Sequence, residues 1–254
     1  MKRKLAENWK RITERVGDAC HRVGRDPTDV TIVAVTKSVT PNVIRTLIEM
    51  GIHDLGENRV QQLTKRAAMV NEWFKRRSLD SSSVPPPRPV WHMIGHLQRN
   101  KVAAVLPWVR LVHSVDSLRL AEEIDSQAGK LKTTMRVLLE VDAADEPSKY
   151  GVAVAATTHL GEQIASLPHI ELCGLMAMAP LTSDESRIRF TFERVKDLFD
   201  EIVSEGSCGD SFRMLSLGMS NDFEYGIEAG ATYIRIGSAL FEGIELAPEP
   251  AYSD

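Results

Sequence analysis

The sequence predicts a (β/α)8 TIM-type barrel, an α/β fold in which helices surround a closed parallel sheet. Three observations lead to this prediction: strand-like and helix-like segments alternate along nearly the whole chain, eight strands can be counted, and 254 residues is a common length for one barrel. Strands joined through helices run parallel with right-handed crossovers, and eight of them favour closure over an open sheet. We therefore expect one domain over residues 1–254.

Eight segments are predicted as strands because each is a short apolar run bounded by turn or polar residues. They span residues 31–36, 53–58, 89–95, 110–116, 136–142, 170–178, 213–219 and 232–238. The alternation of predicted strands and helices continues unchanged after the stretch SLDSSSVPPPRP (78–89). The serines and prolines of this stretch indicate a surface loop within the domain and not a linker between two domains.

Helices are predicted from apolar residues that recur at spacings of three and four. An extra N-terminal helix, over about residues 5–23, precedes the first strand. Another begins at Pro41 behind a Thr40 cap, and a third covers residues 59–77. A further helix opens near Ser117, and a long one follows Thr182, which with Glu185 has the spacing of a capping box.

Composition and charge exclude several classes of protein. A net charge of -4 gives no electrostatic reason to bind nucleic acid or an anionic membrane. No apolar stretch approaches the length of a membrane span, and the basic start lacks the apolar segment of a signal peptide. The three cysteines, Cys20, Cys173 and Cys208, are far apart and indicate reduced thiols. We expect a cytoplasmic protein.

The polar residues that end the predicted strands define the expected site, because barrels carry their sites at the carboxyl ends of the strands. Lys37 follows the first strand, Glu57 and Asn58 end the second, and Asp142 ends the fifth. The last two strands run into the loops LSLGMSND and RIGSALF, which are rich in Gly and Ser and predicted to lead into helices. Loops at these two positions often bind phosphate through backbone N–H groups and hydroxyls. Together they favour a phosphate site over ordinary turns.

A lysine facing a phosphate site suggests Schiff-base chemistry with a phosphorylated aldehyde or ketone. Two possibilities remain open at this point: an aldolase, or a site that holds pyridoxal 5′-phosphate (PLP). Arg235 lies inside an otherwise apolar strand and shares a face with Gly237, since side chains alternate along a strand. An arginine there can donate to a pyridine nitrogen, although an ion pair inside the barrel would explain it nearly as well.

Six motifs, in order, resemble a known family. They are AVTKSV, GENRVQ, WHMIGHLQRNK, SKYGV, GLMAMAP and the long LSLGMSNDFEYGIEAGATYIRIGSALFEG. They are similar to the PLP homeostasis protein family, whose members resemble the N-terminal barrel of alanine racemase and other fold-type III PLP enzymes. The departures are mild: many relatives differ at His96, and Tyr150 is often smaller.

The resemblance implies that Lys37 carries PLP as an internal aldimine and that Arg235 faces the pyridine nitrogen. It further implies two sets of cofactor contacts. The phosphate would be held by Ser216, Gly237, Ser238 and backbone groups near Met219 and Ser220, and the ring would be surrounded by Asn58, His92 and Met176. Lys149, a second amine in SKYGV, is better explained as a solvated loop lysine.

Two functions fit such a site: a racemase-like PLP enzyme, or a protein that stores, buffers or delivers PLP to apo-enzymes. Enzymes of this fold type usually carry a second, β-rich domain after the barrel, whereas only IELAPEPAYSD follows Gly243. Racemisation also needs a proton donor on each face of the substrate, and beyond Lys37 the sequence offers only Tyr150 and His96. We therefore predict a non-catalytic PLP carrier, and without the second domain's dimer contacts we expect a monomer.

Two other sites are disfavoured. His53, His92 and His96 do not form a metal site, because His53 begins its strand and would lie at the opposite end of the barrel. The glycine pairs near the C-terminus, such as GIEAG, lack the order of a dinucleotide-binding loop.

Overall fold

The computed structural model describes residues 1–78, 86–144 and 150–246, and it confirms the predicted (β/α)8 barrel. Its strands are β1 (Thr31–Val35), β2 (Asp54–Glu57), β3 (Val90–Met93), β4 (Val109–Val115), β5 (Met135–Asp142), β6 (Val152–Ala153), β7 (Ile170–Ala177), β8 (Met214–Met219) and β9 (Tyr233–Ile236). Its helices are α1 (Lys2–Arg22), α2 (Pro41–Glu49), α3 (Val60–Ser78), α4 (Val102–Val105), α5 (Leu118–Lys130), α6 (Val154–Ala165), α7 (Glu185–Glu205) and α8 (Phe223–Glu228). Short 3-10 turns cover Pro27–Asp29 and Arg99–Lys101.

All the strand pairs among the described residues are parallel, and the pairing of the first strand, β1, with the last, β9, closes the barrel. Eight of the nine strands in the described ranges form the closed sheet. The two-residue strand β6, which the sequence analysis did not predict, pairs only with the carboxyl end of β5. The predicted sixth, seventh and eighth strands are therefore β7, β8 and β9.

The core has two parts, as expected for a sheet that is covered by helices outside and closed on itself inside. The larger part lies between the strands and the surrounding helices. The smaller part fills the barrel interior and contains Leu111, Leu138, Cys173 and Met176. None of the helices in the described ranges is long and apolar enough to cross a membrane.

The N-terminal helix α1 packs against α8 and the chain after β9. The Asn8 amide, which is buried, donates to the carbonyls of Leu240 and Glu242, at 2.9 Å each. Arg15 and Arg22 form ion pairs with the α8 carboxylates Glu224 and Glu228. The extra helix thus supports both of the loops predicted to bind phosphate.

Two local predictions were wrong. The cap of α7 is Asp184, whose carboxylate accepts from the N–H groups of Ser186 and Arg187, while the Thr182 hydroxyl only accepts from the N–H of Asp184. An Asp immediately before the helix is a strong competing cap, and it displaces the Thr182–Glu185 box. The chain after β9 enters a turn at residues 238–240 and not a helix. Residues 79–85 of the Ser/Pro-rich loop and Lys149 lie outside the described residues.

Candidate cofactor site

Strand register brings the predicted lysine and the last glycine loop to the same end of the barrel. Val33 pairs with Arg235, and Ala34 with Ile236. A Cβ placed on Gly237 would lie 3.4 Å from the Cβ of Val35, two residues before Lys37. On the other side of β1, Val35 pairs with Gly56, so Asn58 lies at the level of Lys37. Lys37, Asn58 and Gly237 therefore meet at the carboxyl ends of three neighbouring strands.

The loop that carries Lys37 is fixed by Arg66, a residue of α3 that sequence reasoning missed. The Arg66 guanidinium donates to the carbonyls of Lys37, at 3.2 Å, and Val39, at 2.9 Å. The Lys37 side chain itself is exposed and makes no hydrogen bond or ion pair with another described residue. The backbone is thus held in place while the amine remains available to a ligand.

Arg66 is held in turn by Glu57, which is completely buried at the end of β2. A Glu57 carboxylate oxygen lies 2.6 Å from Nη1 of Arg66 and accepts from the Thr36 hydroxyl at 2.5 Å. Burial raises the pKa of Glu57, and the charge of Arg66 and the Thr36 hydrogen bond oppose that rise. The buried ion pair therefore links α3 to the end of β2, and the Thr36 hydrogen bond links the end of β2 to the end of β1.

Three side-chain oxygens near this end of the barrel are buried without a hydrogen-bond partner among the described residues. They are Oε2 of Glu57, Oδ1 of Asn58 and Oδ1 of Asp142. A Cβ on Gly95 would come within 2.4 Å of the Asn58 carbonyl oxygen, so the end of β3 packs directly on the Asn58 backbone. Buried acceptors without partners are uncommon in native proteins and are typical of a site that receives a ligand.

The loops after β8 and β9 meet at the hydroxyl of Ser220. Its oxygen accepts from the backbone N–H groups of Gly237, at 3.2 Å, and Ala239, at 3.3 Å. Between them, Ser238 is exposed, and neither its N–H nor its hydroxyl bonds to another described residue. The N–H groups of Gly237 and Ala239 are thus occupied by Ser220, whereas the N–H and hydroxyl of Ser238 remain able to donate to an anionic oxygen. The unpartnered donors of Ser238 fit the predicted phosphate position.

Met219 lies in the loop after β8, where backbone groups near it are predicted to hold the phosphate. Its backbone N–H donates to the carboxylate of Asp222 and is not free, and its side chain is exposed. Gly218 just before it has φ +87°, and a Cβ there would lie 2.6 Å from the Cα of Phe223. The turn thus requires glycine at 218, while a phosphate contact through Met219 stays a prediction.

Arg235 lies in the barrel interior, almost fully buried. Its Nη1 donates to the carbonyl and the hydroxyl of Ser216, at 2.9 and 2.7 Å, and its Nη2 donates to the carbonyl of Ala177 at 3.0 Å. Burial lowers the pKa of Arg235 to about 10, so the side chain remains a cation at neutral pH. Its Nε–H and one Nη2–H have no partner among the described residues and are available to a ligand.

The remaining predicted residues, Met176, Ser216 and His92, are buried. Met176 is buried in the barrel interior and pairs with Ser216 across β7 and β8. The hydroxyl of Ser216 contacts Arg235 and His113, and the imidazole of His92 contacts His113 and Asp54. Their predicted contacts, with the phosphate for Ser216 and with the ring for His92, stay predictions.

Sequence reasoning also missed Glu140, a buried carboxyl of β5. It makes no hydrogen bond with another described residue. Burial raises its pKa to about 7, the charge of Arg235 opposes this, and those of Asp116 and Asp142 add to it. The signal was present in RVLLEVD, where an acidic residue interrupts an apolar strand as Arg235 does in YIRIG. A carboxyl that titrates near neutrality is available for proton transfer at this end of the barrel.

Glu140→Gln is expected to change how the stability of the unliganded protein depends on pH. Because the pKa of Glu140 rises from 4.5 to about 7 on folding, the folded wild type binds more protons across that window, and its free energy of unfolding falls as pH rises. Relative to wild type, the variant should gain up to about 3 kcal/mol between pH 4 and pH 8. Urea unfolding at both pH values measures this, with the exposed Glu122→Gln as control; parallel profiles for Glu140→Gln and wild type would contradict it.

Comparison with known proteins identifies the class of barrel. Residues 2–244 match the family model for the N-terminal domain of alanine racemase. The alanine racemase of Clostridium difficile 630 has the same fold, with a TM-score of 0.70 at 13% identity, and the match covers 97% of this chain and 58% of that one. Fold and family model together define an alanine racemase-type barrel.

Two relatives define the family within this class. The pyridoxal phosphate homeostasis protein of Aquifex aeolicus (strain VF5) is 37% identical over 235 residues, which are 92% of this chain and 96% of that protein. PipY of Synechococcus elongatus PCC7942, solved with PLP bound, has a TM-score of 0.75 at 30% identity and covers 91% of this chain and 99% of that one. The chain belongs to the pyridoxal phosphate homeostasis protein family, which confirms the resemblance.

Proposed function

We propose that the protein binds PLP through a Schiff base on Lys37 and holds it in the cytoplasm for storage, buffering or delivery, with little or no turnover. The observation that carries this proposal is the pairing of a fixed backbone with an unpartnered amine at Lys37, at the end of the barrel where the loops after β8 and β9 meet and Ser238 is exposed. The family name and the PLP found in PipY support PLP as the ligand.

The proposed contacts divide the cofactor among three parts of the site. The phosphate is proposed to lie between the loops after β8 and β9, next to Met219, Ser220, Gly237 and Ser238, and Arg235 is proposed to donate to the ring nitrogen. Asn58, Met176 and His92 are proposed around the ring, and Ser216 is proposed to act mainly by holding Arg235. The fit rests on the unpartnered Oδ1 of Asn58, the exposed Ser238 and the two free N–H groups of Arg235.

Arg235 also supports holding over catalysis. When bound, PLP supplies an aldehyde that condenses with an amine and a ring that withdraws electrons. An arginine is a permanent donor, so it stabilises an unprotonated ring nitrogen, which withdraws electrons less strongly. Weaker electron withdrawal disfavours carbanion chemistry, so this feature favours a carrier.

A racemase-like enzyme is the second candidate, and one observation favours it. Glu140 is a buried carboxyl whose pKa is raised to about 7, so it can exchange a proton at neutral pH. The other candidate acids, His96 and Tyr150, stack on each other with ring centroids 3.9 Å apart, and His96 Nδ1 lies 3.1 Å from Asp116.

The test combines PLP binding with a sensitive assay of turnover. Wild-type protein titrated with PLP is expected to gain the absorption band of a Schiff base. Incubation of the loaded protein with amino acids in D2O should then show no steady Cα-proton exchange or racemisation, whereas turnover of about 1 s⁻¹ or faster would establish an enzyme. If the protein is an enzyme, loss of Cα-proton exchange in Glu140→Gln would identify Glu140 as the proton donor. A protein that gains no band with PLP but one with a phosphorylated ketone would favour an aldolase.

Delivery to apo-enzymes is tested by handover. The loaded protein is mixed with an apo-aminotransferase, and the recovery of activity is compared with recovery from free PLP at the same total concentration. A recovery rate that rises with the concentration of loaded protein, at constant free PLP, indicates direct transfer. A rate set by free PLP alone indicates storage and buffering. Sedimentation of the loaded protein checks the predicted monomer.

A further inference from the structure

A continuous chain of polar groups crosses the barrel interior and ends on Arg235. Asp54 Oδ1 lies 3.1 Å from His92 Nε2, His92 Nδ1 lies 3.0 Å from His113 Nε2, and His113 Nδ1 lies 3.0 Å from Ser216 Oγ. Ser216 Oγ accepts from Arg235 Nη1 at 2.7 Å. The chain runs from the first residue of β2, through β3, β4 and β8, to the centre of β9.

Burial sets this chain apart from ordinary surface contacts. His113 and Ser216 are fully buried, and His92 and Arg235 are 2% and 4% exposed. Only the Asp54 side chain, 35% exposed, reaches solvent, at the amino end of its strand. The ring of Tyr233 packs near both imidazoles, with centroids 6.1 Å from His92 and 5.9 Å from His113.

The groups at the two ends of the chain limit the possible directions of its hydrogen bonds. Arginine only donates, so Ser216 Oγ accepts from Arg235 and its own proton is free to go to Nδ1 of His113. A carboxylate only accepts, so His92 Nε2 carries a proton toward Asp54. Burial lowers the pKa of His113 well below its usual range, so this ring is neutral. With the Ser216 proton directed to its Nδ1, the neutral His113 ring carries its own proton on Nε2, which it donates to Nδ1 of His92.

We propose that this chain is an orienting device for Arg235, with His113 as the positioning residue that aims its guanidinium at the cofactor ring. The chain is not a proton pathway, because it ends on an arginine that accepts no proton. Both Nη1 protons are engaged by Ser216 and one Nη2 proton by Ala177, so the rotation of the guanidinium is fixed and its free N–H groups point to one place. The inference rests on the proposed function, in which Arg235 faces the pyridine nitrogen.

Substitutions at position 113 separate hydrogen bonding from packing. Gln keeps an acceptor for Ser216 and a donor for His92, while Leu keeps bulk but offers neither. With PLP labelled with ¹⁵N at the ring, His113→Leu is expected to shift the ring ¹⁵N signal and the absorption band and to weaken PLP binding about tenfold. His113→Gln should restore most of each effect. The exposed His159→Gln serves as control for a histidine change elsewhere.

Imidazole ¹⁵N spectra of the unliganded wild type test the chain independently of PLP. The expected spectrum shows His113 as a neutral Nε2–H tautomer, with its Nδ1 signal changed in Ser216→Ala. A protonated His113, or its Nδ1–H tautomer, would overturn the inference. So would a His113→Leu variant that folds, binds PLP on Lys37 and leaves the ring ¹⁵N signal unchanged. If the His113 tautomer is as expected but wild type binds no PLP, the proposed function fails and not the inference about the hydrogen-bonded chain.

Discussion

Lys37→Ala is expected to abolish the Schiff-base absorption band and to reduce borohydride-stable labelling by PLP to the level of a protein without the site. The physical reason is that only a free amine condenses with the aldehyde. Lys37 supplies such an amine at this end of the barrel, and Arg66 holds its backbone by a hydrogen bond to its carbonyl. The phosphate donors remain in the variant, so weak noncovalent binding should persist. Absorption spectra taken during a PLP titration, before and after reduction, measure both effects.

Two further variants make this result specific. Lys37→Arg keeps the positive charge but has no amine that forms a Schiff base, so it should behave like Lys37→Ala in labelling. Lys130→Ala removes an exposed lysine at the end of α5, on the opposite end of the barrel, and should label like wild type. Unchanged labelling in both Lys37 variants would contradict the proposal and direct attention to another lysine, with Lys149→Ala as the next variant to test.

Arg66→Met is expected to lower the free energy of unfolding by about 3–5 kcal/mol at pH 8, because it leaves the buried Glu57 carboxylate without its cation. The loss should be smaller at pH 5, since Glu57, whose pKa burial already raises, then takes up a proton more easily. The same variant releases the carbonyls of Lys37 and Val39, so PLP capture should also slow. Urea unfolding at both pH values and stopped-flow absorption provide the measurements.

The matched control for Arg66→Met is Arg76→Met, which removes an exposed arginine from the same helix and should change stability by less than about 0.5 kcal/mol. The double variant Glu57→Gln with Arg66→Met removes both charges and should recover much of the lost stability. An Arg66→Met protein as stable as wild type at pH 8, with normal PLP capture, would show that this ion pair does not fix the Lys37 loop.

The sequence predicted the barrel because its signal is repeated: each strand is a short apolar run, and each run is followed by a helix or turn. Lys37 and the loops around Ser220 and Gly237 could be located in the same way, because the end of a strand can be recognised from the residues next to it. Arg235 was recognisable because a charge inside an apolar strand is costly and therefore conspicuous. His113 and Glu140 carry a similar signal in RLVHSVD and RVLLEVD.

Other features depend on contacts that no local pattern specifies. Arg66 is one of several basic residues on a predicted helix, and its contact with the Lys37 carbonyl joins residues 29 positions apart. The partners of Ser216 and His92 follow from the register of five strands, which the sequence alone does not give. At the start of α7, Thr182 and Asp184 both suited a cap, and only the backbone geometry decided between them.

The most direct test of the central claim is to locate the bound cofactor on the chain. Wild-type protein is loaded with PLP, reduced with borohydride and digested, and the labelled peptides are identified by mass spectrometry. We predict one stoichiometric phosphopyridoxyl label, on Lys37, that is absent from Lys37→Arg. Stoichiometric labelling of a different lysine, or a bound cofactor that leaves no label after reduction, would contradict the claim.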